Sequence, residues 1–143
     1  FLVDKGADVN AVDRTGKTSL LWASLKGRLD IVKALVDKGA NVNAADEDGY
    51  TSLMLASKEG HWDTLKFLVN KGANLEATDE NGSTSLLWAS NEGRLDIVKS
   101  LVDKGADVNA ANNYGCTSLL WASLKGHLDI VKALVDKGAD VNA

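Results

Sequence analysis

Residues 18–44 read TSLLWASLKGRLDIVKALVDKGANVNA, and residues 117–143 repeat that stretch as TSLLWASLKGHLDIVKALVDKGADVNA with two changes. Two more divergent copies begin at Thr51 and Thr84, so the motif recurs every 33 residues without insertion or deletion. A fixed period of this length is typical of a repeat protein, in which each unit is one small supersecondary element.

The repeat predicts a single domain over residues 1–143, built from four units that follow a partial one. Residues 1–12 match the end of a unit. The complete units follow one another over residues 13–45, 46–78, 79–111 and 112–143. Because the chain does not start with Met, we expect it to be a piece of a longer protein.

One unit contains the signals for a turn, a short helix, a second turn and a second helix. Asp13 opens the first turn, and Thr18 is placed to cap a helix that Gly27 ends. The second helix, predicted from Leu29 to Lys38, has its apolar residues at helical spacing. Neither helix is long enough to be stable alone, so each unit must bury its apolar face against the next. This pattern predicts an all-α solenoid of paired antiparallel helices with hairpin-like connectors.

The units resemble the ankyrin repeat, a family with 33 residues per unit, a turn plus two helices, and the signature T-P-L-H-x-A. The corresponding residues here are Thr-Ser-Leu-Leu-Trp-Ala at 18–23, 84–89 and 117–122, and Thr-Ser-Leu-Met-Leu-Ala at 51–56. The resemblance covers the whole chain. It implies a concave groove, lined by turn tips and first helices, that usually holds a partner protein.

Two departures from the ankyrin signature recur in every copy. Ser replaces Pro, as at Ser19, and Leu or Met replaces His, as at Leu21. We expect Thr18 to cap its helix without help from Pro, which leaves the helix start less rigid. We also expect the former His position to add apolar packing between units.

The composition argues against several classes of function. A net charge of −4 does not fit a nucleic-acid-binding surface or an anionic membrane surface. The single cysteine, Cys116, rules out an internal disulfide and favours an intracellular, cytoplasmic setting. No set of acid, base, nucleophile or metal ligands recurs, so the sequence predicts no enzyme, cofactor or metal site.

The positions that differ between copies cluster at the turn tips and at the ends of the first helices. The resemblance implies that these positions face the groove, while the glycines and the lysines that end the second helices stay constant. We therefore predict a partner-binding set on a constant scaffold. It consists of Arg14, Lys17, Lys26, Glu47, Asp48, Tyr50, Lys58, Glu59, Glu80, Asn81, Glu92, Asn113, Tyr114, Leu124 and Lys125.

The charges of this set are divided along the array. The first unit contributes only basic residues, whereas the two central units contribute acids, with Lys58 as the exception. We expect a protein partner that places basic residues against the central units, with Tyr50 and Tyr114 as contact anchors. The alternative is drift at solvated positions, with two incidental tyrosines.

Aromatic and histidine residues outside this set have simpler interpretations. Trp22, Trp88 and Trp121 share one position, where the second unit has Leu, and we expect all three to pack between units. We expect the same of Trp62. His61 shares its position with arginines in other copies, which indicates a structural or surface role and not a metal ligand.

Two other functions remain open on this sequence. The array could be a regulatory or targeting arm of a larger enzyme, or an engineered or recently duplicated array with no natural partner. The apolar Phe1-Leu2-Val3 and the uncapped last unit also predict weak end-to-end association between copies.

Overall fold

The computed structural model describes residues 8–142, which form eight helices in four antiparallel pairs. Within that range there is no strand, and only the isolated antiparallel bridges Ala45–Thr51 and Ala111–Thr117 mark the connectors. The predicted all-α solenoid is confirmed. The helices are α1 (Ser19–Lys26), α2 (Leu29–Asp37), α3 (Ser52–Glu59), α4 (Trp62–Asn70), α5 (Ser85–Asn91), α6 (Leu95–Asp103), α7 (Ser118–Lys125) and α8 (Leu128–Asp136).

A threonine starts each first helix in the way that the sequence predicts. Thr18 has an extended backbone, with φ −82° and ψ 169°, and its Oγ1 accepts a hydrogen bond from Leu21 N at 3.2 Å. This is the N-cap geometry, which satisfies one of the unpaired N–H groups at the helix start. The same bond is made by Thr51, Thr84 and Thr117.

The core lies between successive units. Leu20, Leu53 and Leu86 of the first helices are each 1% exposed. The position that carries His in the ankyrin signature is buried in the first three units, as at Leu21 and Met54, so the predicted apolar packing is confirmed there, whereas Leu120 of the last unit is 39% exposed.

The first and second helices differ in how closely they stack on the next unit. Successive first helices (α1, α3, α5, α7) pack closely on one another, whereas successive second helices make few contacts. The stack is therefore tighter on the side of the first helices. By the resemblance stated above, the surface of first helices and turn tips is the concave surface of the array, and the surface of second helices is the convex surface.

One side chain of each following unit caps the first helix of the unit before it. His61 Nε2 lies 2.9 Å from Leu25 O, and His127 Nε2 lies 3.2 Å from Asn91 O. Arg94 makes the equivalent contact, with Nε donating to Lys58 O at 3.4 Å. These carbonyls lie at helix C-termini and lack partners within their own helices. The structural role predicted for this position is confirmed.

The connectors between units are linked by a ladder of side chains. Asn10 Oδ1 accepts from Asn41 N at 2.8 Å, and Asn43 Oδ1 accepts from Asn74 N at 2.8 Å. Glu76, which replaces Asn in the third connector, still accepts from the next unit. Each connector is thus held to its neighbour at the spacing of the repeat.

The expected end-to-end association rests on two groups of residues. Phe1-Leu2-Val3 lies outside the described range. At the other end, the last unit exposes apolar side chains, including Leu124 at 72% and Leu128 at 62%. The self-association stays a prediction.

Replacing Gly27 by Ala is expected to destabilise the array more than replacing Gly39 by Ala. Both glycines have positive φ, 70° and 95°, which costs an L-residue roughly 1–2 kcal/mol. A Cβ at Gly39 meets open space, but at Gly27 it would overlap the ring of His61. We expect the clash to cost about 1 kcal/mol more, by breaking the bond from His61 to Leu25.

Urea unfolding in a double-mutant cycle checks this prediction. The excess cost of G27A over G39A should vanish when His61 is also replaced by Ala. An unchanged excess in the H61A background would show that backbone strain alone causes the loss.

Replacing Ser52 by Pro is expected to raise the free energy of unfolding by about 1 kcal/mol. Ser52 is the first residue of α3, where Pro has the favoured φ and no helical N–H is lost. Its hydroxyl is buried without a hydrogen-bond partner, and Thr51 before it is extended, as Pro requires.

Thermal and urea unfolding of S52P should be compared with S19P, because Ser19 is exposed at the equivalent helix start. We expect a smaller gain for S19P, since no buried hydroxyl is removed. A lower stability of S52P than of the parent would contradict the expectation that Ser weakens the helix start.

Candidate partner-binding surface

The first residue of each turn is an Asp or Asn, and its side chain holds the turn beneath the concave surface. Asp46 is 7% exposed, and its Oδ1 accepts hydrogen bonds from Asp48 N at 3.0 Å and from Tyr50 N at 2.9 Å. The same two bonds close the turns of the other units, which are opened by Asp13, Asp79 and Asn112. Each turn closes around one side-chain oxygen, and the remaining polar atom is available to another group.

In two units, that second oxygen fixes a tryptophan. Asp13 Oδ2 accepts from Trp22 Nε1 at 2.7 Å, and Asp79 Oδ2 accepts from Trp88 Nε1 at 2.9 Å. The indole is therefore held over the turn of its own unit. Its orientation is fixed before any partner binds.

The predicted packing of the tryptophans between units is wrong for Trp22, whereas Trp88 and Trp121 do contact each other across a unit boundary but are not fully buried. Trp22 is 43% exposed and the other two are half-buried on the concave surface. An indole N–H removed from water requires a hydrogen-bond partner, and the acceptor for Trp22 and Trp88 is the carboxylate that opens the turn of the same unit. Leu55, which has no polar atom, fills the same position in the second unit at 5% exposure.

The expectation that Trp62 is packed is also wrong. Trp62 is 41% exposed on the convex side, and its Nε1 donates to Ser100 Oγ of the next unit at 2.8 Å. Lys66 Nζ lies 3.7 Å from the centroid of its ring. The unit therefore places this aromatic ring among polar partners at the surface.

Three aromatic rings form a row across the central part of the concave surface. The ring centroids of Tyr50 and Trp88 are 5.9 Å apart, and those of Trp88 and Trp121 are 5.8 Å apart in an edge-to-face arrangement. Lys58 Nζ lies 4.8 Å from the Trp88 centroid and 5.8 Å from that of Tyr50. Both distances are within the range of a cation–π interaction.

The electrostatic environment of this row is negative. Partial burial raises the pKa of the Tyr50 hydroxyl, and the charges of Asp79, Asp48, Asp46 and Glu80 raise it further. The phenol is therefore kept neutral. Four carboxylates act on one ring, and of these Asp46 is paired with Lys17 at 2.8 Å.

Comparison with known families identifies this array. The model for three-copy ankyrin repeats matches residues 1–79 and 73–143. The chain belongs to the ankyrin repeat family. Ankyrin repeats are generally protein–protein interaction modules and are typically non-catalytic. A comparison with curated proteins gives no match. No helix between residues 8 and 142 combines the length and apolarity that crossing a membrane requires.

Most residues of the predicted partner-binding set are exposed in the ankyrin array. They are Arg14, Lys26, Glu47, Asp48, Glu59, Glu80, Asn81, Glu92, Asn113, Tyr114, Leu124 and Lys125. Lys17, Tyr50 and Lys58 are half-buried, because Lys17 is paired with Asp46 and the other two pack around Trp88. The structure brings Tyr50 and Lys58 together, and partner binding by the set stays a prediction.

The two tyrosines predicted as anchors lie in different settings. Tyr50 packs on Trp88, whereas Tyr114 is 75% exposed and its hydroxyl lies 3.4 Å from Asn81 Oδ1. The turn tips that carry the set are joined by backbone bonds, as from Glu80 N to Asp48 O at 2.9 Å. The members of the set that lie at the turn tips are therefore held in a row by backbone bonds between the turns.

The sequence analysis missed Trp88, Trp121 and Asp79 as residues of this surface. One signal was present, since an Asp stands nine residues before a Trp in two units, at Asp13 and Asp79. A spacing of nine residues covers the turn between units and the first four residues of the following helix. It brings a turn carboxylate under the indole.

The stabilising effect of Asp13 is expected to decline in acid. Hydrogen bonds from the Thr15 hydroxyl, Trp22 Nε1 and Lys17 N hold the pKa of Asp13 well below its usual range. The folded carboxylate stays ionised below about pH 3.9, where the unfolded chain takes up a proton. The contribution is therefore complete above that pH and is lost as pH falls towards the folded pKa.

Urea unfolding of the parent and of D13N, measured between neutral pH and about pH 2.5, checks this expectation. Asn is a close control because Asn112 keeps both backbone bonds of its turn. The stability difference should be constant at neutral pH and should shrink below about pH 4. A difference that does not change with pH would contradict the assigned hydrogen bonds.

Proposed function

We propose that this ankyrin array is a scaffold that binds a partner protein along its concave surface. The observation that carries the proposal is the position of the variable residues. The residues that differ between copies, such as Glu47, Asn81 and Tyr114, are exposed at the turn tips, while the buried helix faces stay nearly constant. Such a surface can change its binding specificity without changing the packing between units.

We further propose that the partner presents basic side chains to the two central units. Glu47, Asp48, Glu59 and Glu80 are exposed there, and Glu92 extends the acidic surface along the third unit. Complementary charge speeds association and excludes partners of the same sign. Tyr50 and Trp88 supply the half-buried aromatic area on which interface hot spots usually form.

A pair of matched variants tests the proposed surface. The concave variant replaces each residue by one that another copy carries at the equivalent position, so every new residue already occurs in a folded unit of this chain. Its changes are Tyr50→Ser, Tyr114→Asn, Glu47→Asn, Asp48→Asn and Glu80→Asn. The convex variant removes the same numbers of acids and aromatic rings. Its changes are Trp62→Leu, Phe67→Ala, Asp63→Asn, Asp96→Asn and Asp129→Asn.

Affinity capture with the parent and both variants should recover a partner protein that the concave variant loses. Its affinity should then be measured by calorimetry with each purified array. We expect at least a ten-fold loss for the concave variant, since truncating a hot-spot residue costs about 2 kcal/mol or more, and little change for the convex variant. Equal loss with both variants, or loss with the convex variant alone, would refute the concave surface as the binding site.

A further inference from the structure

The ammonium group of Lys58 already occupies the aromatic row of the concave surface. It lies 4.8 Å from the ring centroid of Trp88 and 5.8 Å from that of Tyr50. In the other copies the equivalent position of Lys58 carries Leu25, Asn91 or Leu124, so the cation is peculiar to this place in the array. The repeat does not need a lysine there, which separates this contact from the packing that all units share.

The ring that receives this cation is held in a fixed orientation. Trp88 Nε1 donates to Asp79 Oδ2 at 2.9 Å, and Asp79 is buried at 6% exposure. Trp121 packs edge-on at 5.8 Å, and Tyr50 packs on the other side at 5.9 Å. The indole face is therefore preorganised, and a ligand would not have to order it.

Negative charge lies around Tyr50, the ring that packs on Trp88. The charges of Asp48, Glu80 and Asp79 all act on the Tyr50 phenol, and the first two of these carboxylates are exposed. The nearby cation Lys17 is bound to Asp46 at 2.8 Å and neutralises only that acid. A second cation would thus meet both an aromatic face and carboxylates.

We propose that Tyr50 and Trp88, with Asp48 and Glu80, form a subsite for an arginine side chain of the partner protein, and that Lys58 occupies it in the free array. This inference rests on the proposed function and specifies which side chain of the partner the concave surface binds. A planar guanidinium stacks flat on an indole while the fork of its N–H groups binds carboxylates in a fixed geometry, whereas an ammonium contacts the ring only as a compact point charge. The partner's arginine displaces Lys58, which swings out into solvent.

Trp22 provides the internal comparison. It has the same anchor in Asp13, at 2.7 Å, and a cation nearby, with Lys17 Nζ at 5.5 Å from its ring centroid. That cation is fixed by its ion pair with Asp46. The Trp22 ring therefore lies beside an engaged lysine, and we expect it to be a poorer site for an incoming arginine.

The subsite is tested with a short Gly/Ser peptide that carries arginines, beside the same peptide with neutral citrulline at those positions. Nuclear magnetic resonance follows the indole N–H signals of all four tryptophans during the titration. We expect the signals of Trp88 and Trp121 to shift with the arginine peptide, while those of Trp22 and Trp62 stay near their free positions. The citrulline peptide should produce no such shift.

Two substitutions give the expected changes in affinity. Trp88→Leu installs the residue that the second unit carries at Leu55, and it should weaken binding of the arginine peptide about three- to ten-fold. Lys58→Leu, the residue of the first and fourth units, should strengthen binding about two- to five-fold because it removes the competing cation. Trp22→Leu and Lys99→Leu are the matched controls, the second of which removes one positive charge from the convex side.

The proposal is overturned if W88L binds the arginine peptide as tightly as the parent, or if K58L binds it no more tightly than K99L. It is also overturned if the citrulline peptide binds equally well, or if the Trp22 signal shifts as much as that of Trp88. Circular dichroism of each variant confirms that its helices are intact.

The failure of the subsite and the failure of the proposed function have different signatures. If the concave variant loses the partner while W88L binds the arginine peptide normally, the concave scaffold stands and the arginine subsite is wrong. If W88L and K58L change peptide affinity as expected while the concave variant keeps the partner, the subsite stands and the proposed partner surface is wrong.

Discussion

Contact between neighbouring units is the interaction on which the whole structure depends. No helix in the described range exceeds nine residues, and such short helices are not stable in water by themselves. Leu20, Leu53 and Leu86 become buried only because first helices stack. The same stacking brings the first helices closer together than the second helices. Stability and the shape of the concave surface therefore have one origin.

Apolar stacking alone would allow units to slide, because leucine faces are similar along the array. The polar contacts between units prevent this by linking atoms one repeat apart. His61 contacts the end of α1, and Asn43 holds the backbone of the next connector. A shift of one residue would break these bonds and leave helix-end carbonyls without partners. Gly27 is part of this contact between units, because a side chain there would displace the His61 ring from the end of α1.

Most of the fold could be predicted because its signals lie within one unit. The 33-residue period, the threonine caps and the glycine turns are local, and four copies repeat them. The tryptophans could not be placed in this way. One position carries Trp in three units and Leu in the second, which suggested a shared buried role for Trp22 and Leu55. The indole N–H decides the outcome, since it takes a partner across the turn that leucine does not need.

The candidate site was only partly predictable, because some variable positions serve two purposes. Exposure at Arg14 or Glu47 follows from the turn pattern alone, but the role of Lys17 depends on the unit that comes next. Lys17 binds Asp46 of the second unit, and Ser83 accepts a hydrogen bond from Asn112 of the fourth.

At these two junctions, the residue after the turn glycine contacts the acid or amide that opens the following turn. A change at this position alters the concave surface and the junction between two units together. Changes at the turn tips alter mainly the surface, although Tyr114 and Asn113 also donate to the turn of the preceding unit. Specificity can therefore diverge more readily at the tips than at the residues behind them, of which the lysine–aspartate and serine–asparagine pairs of this chain are two matched combinations.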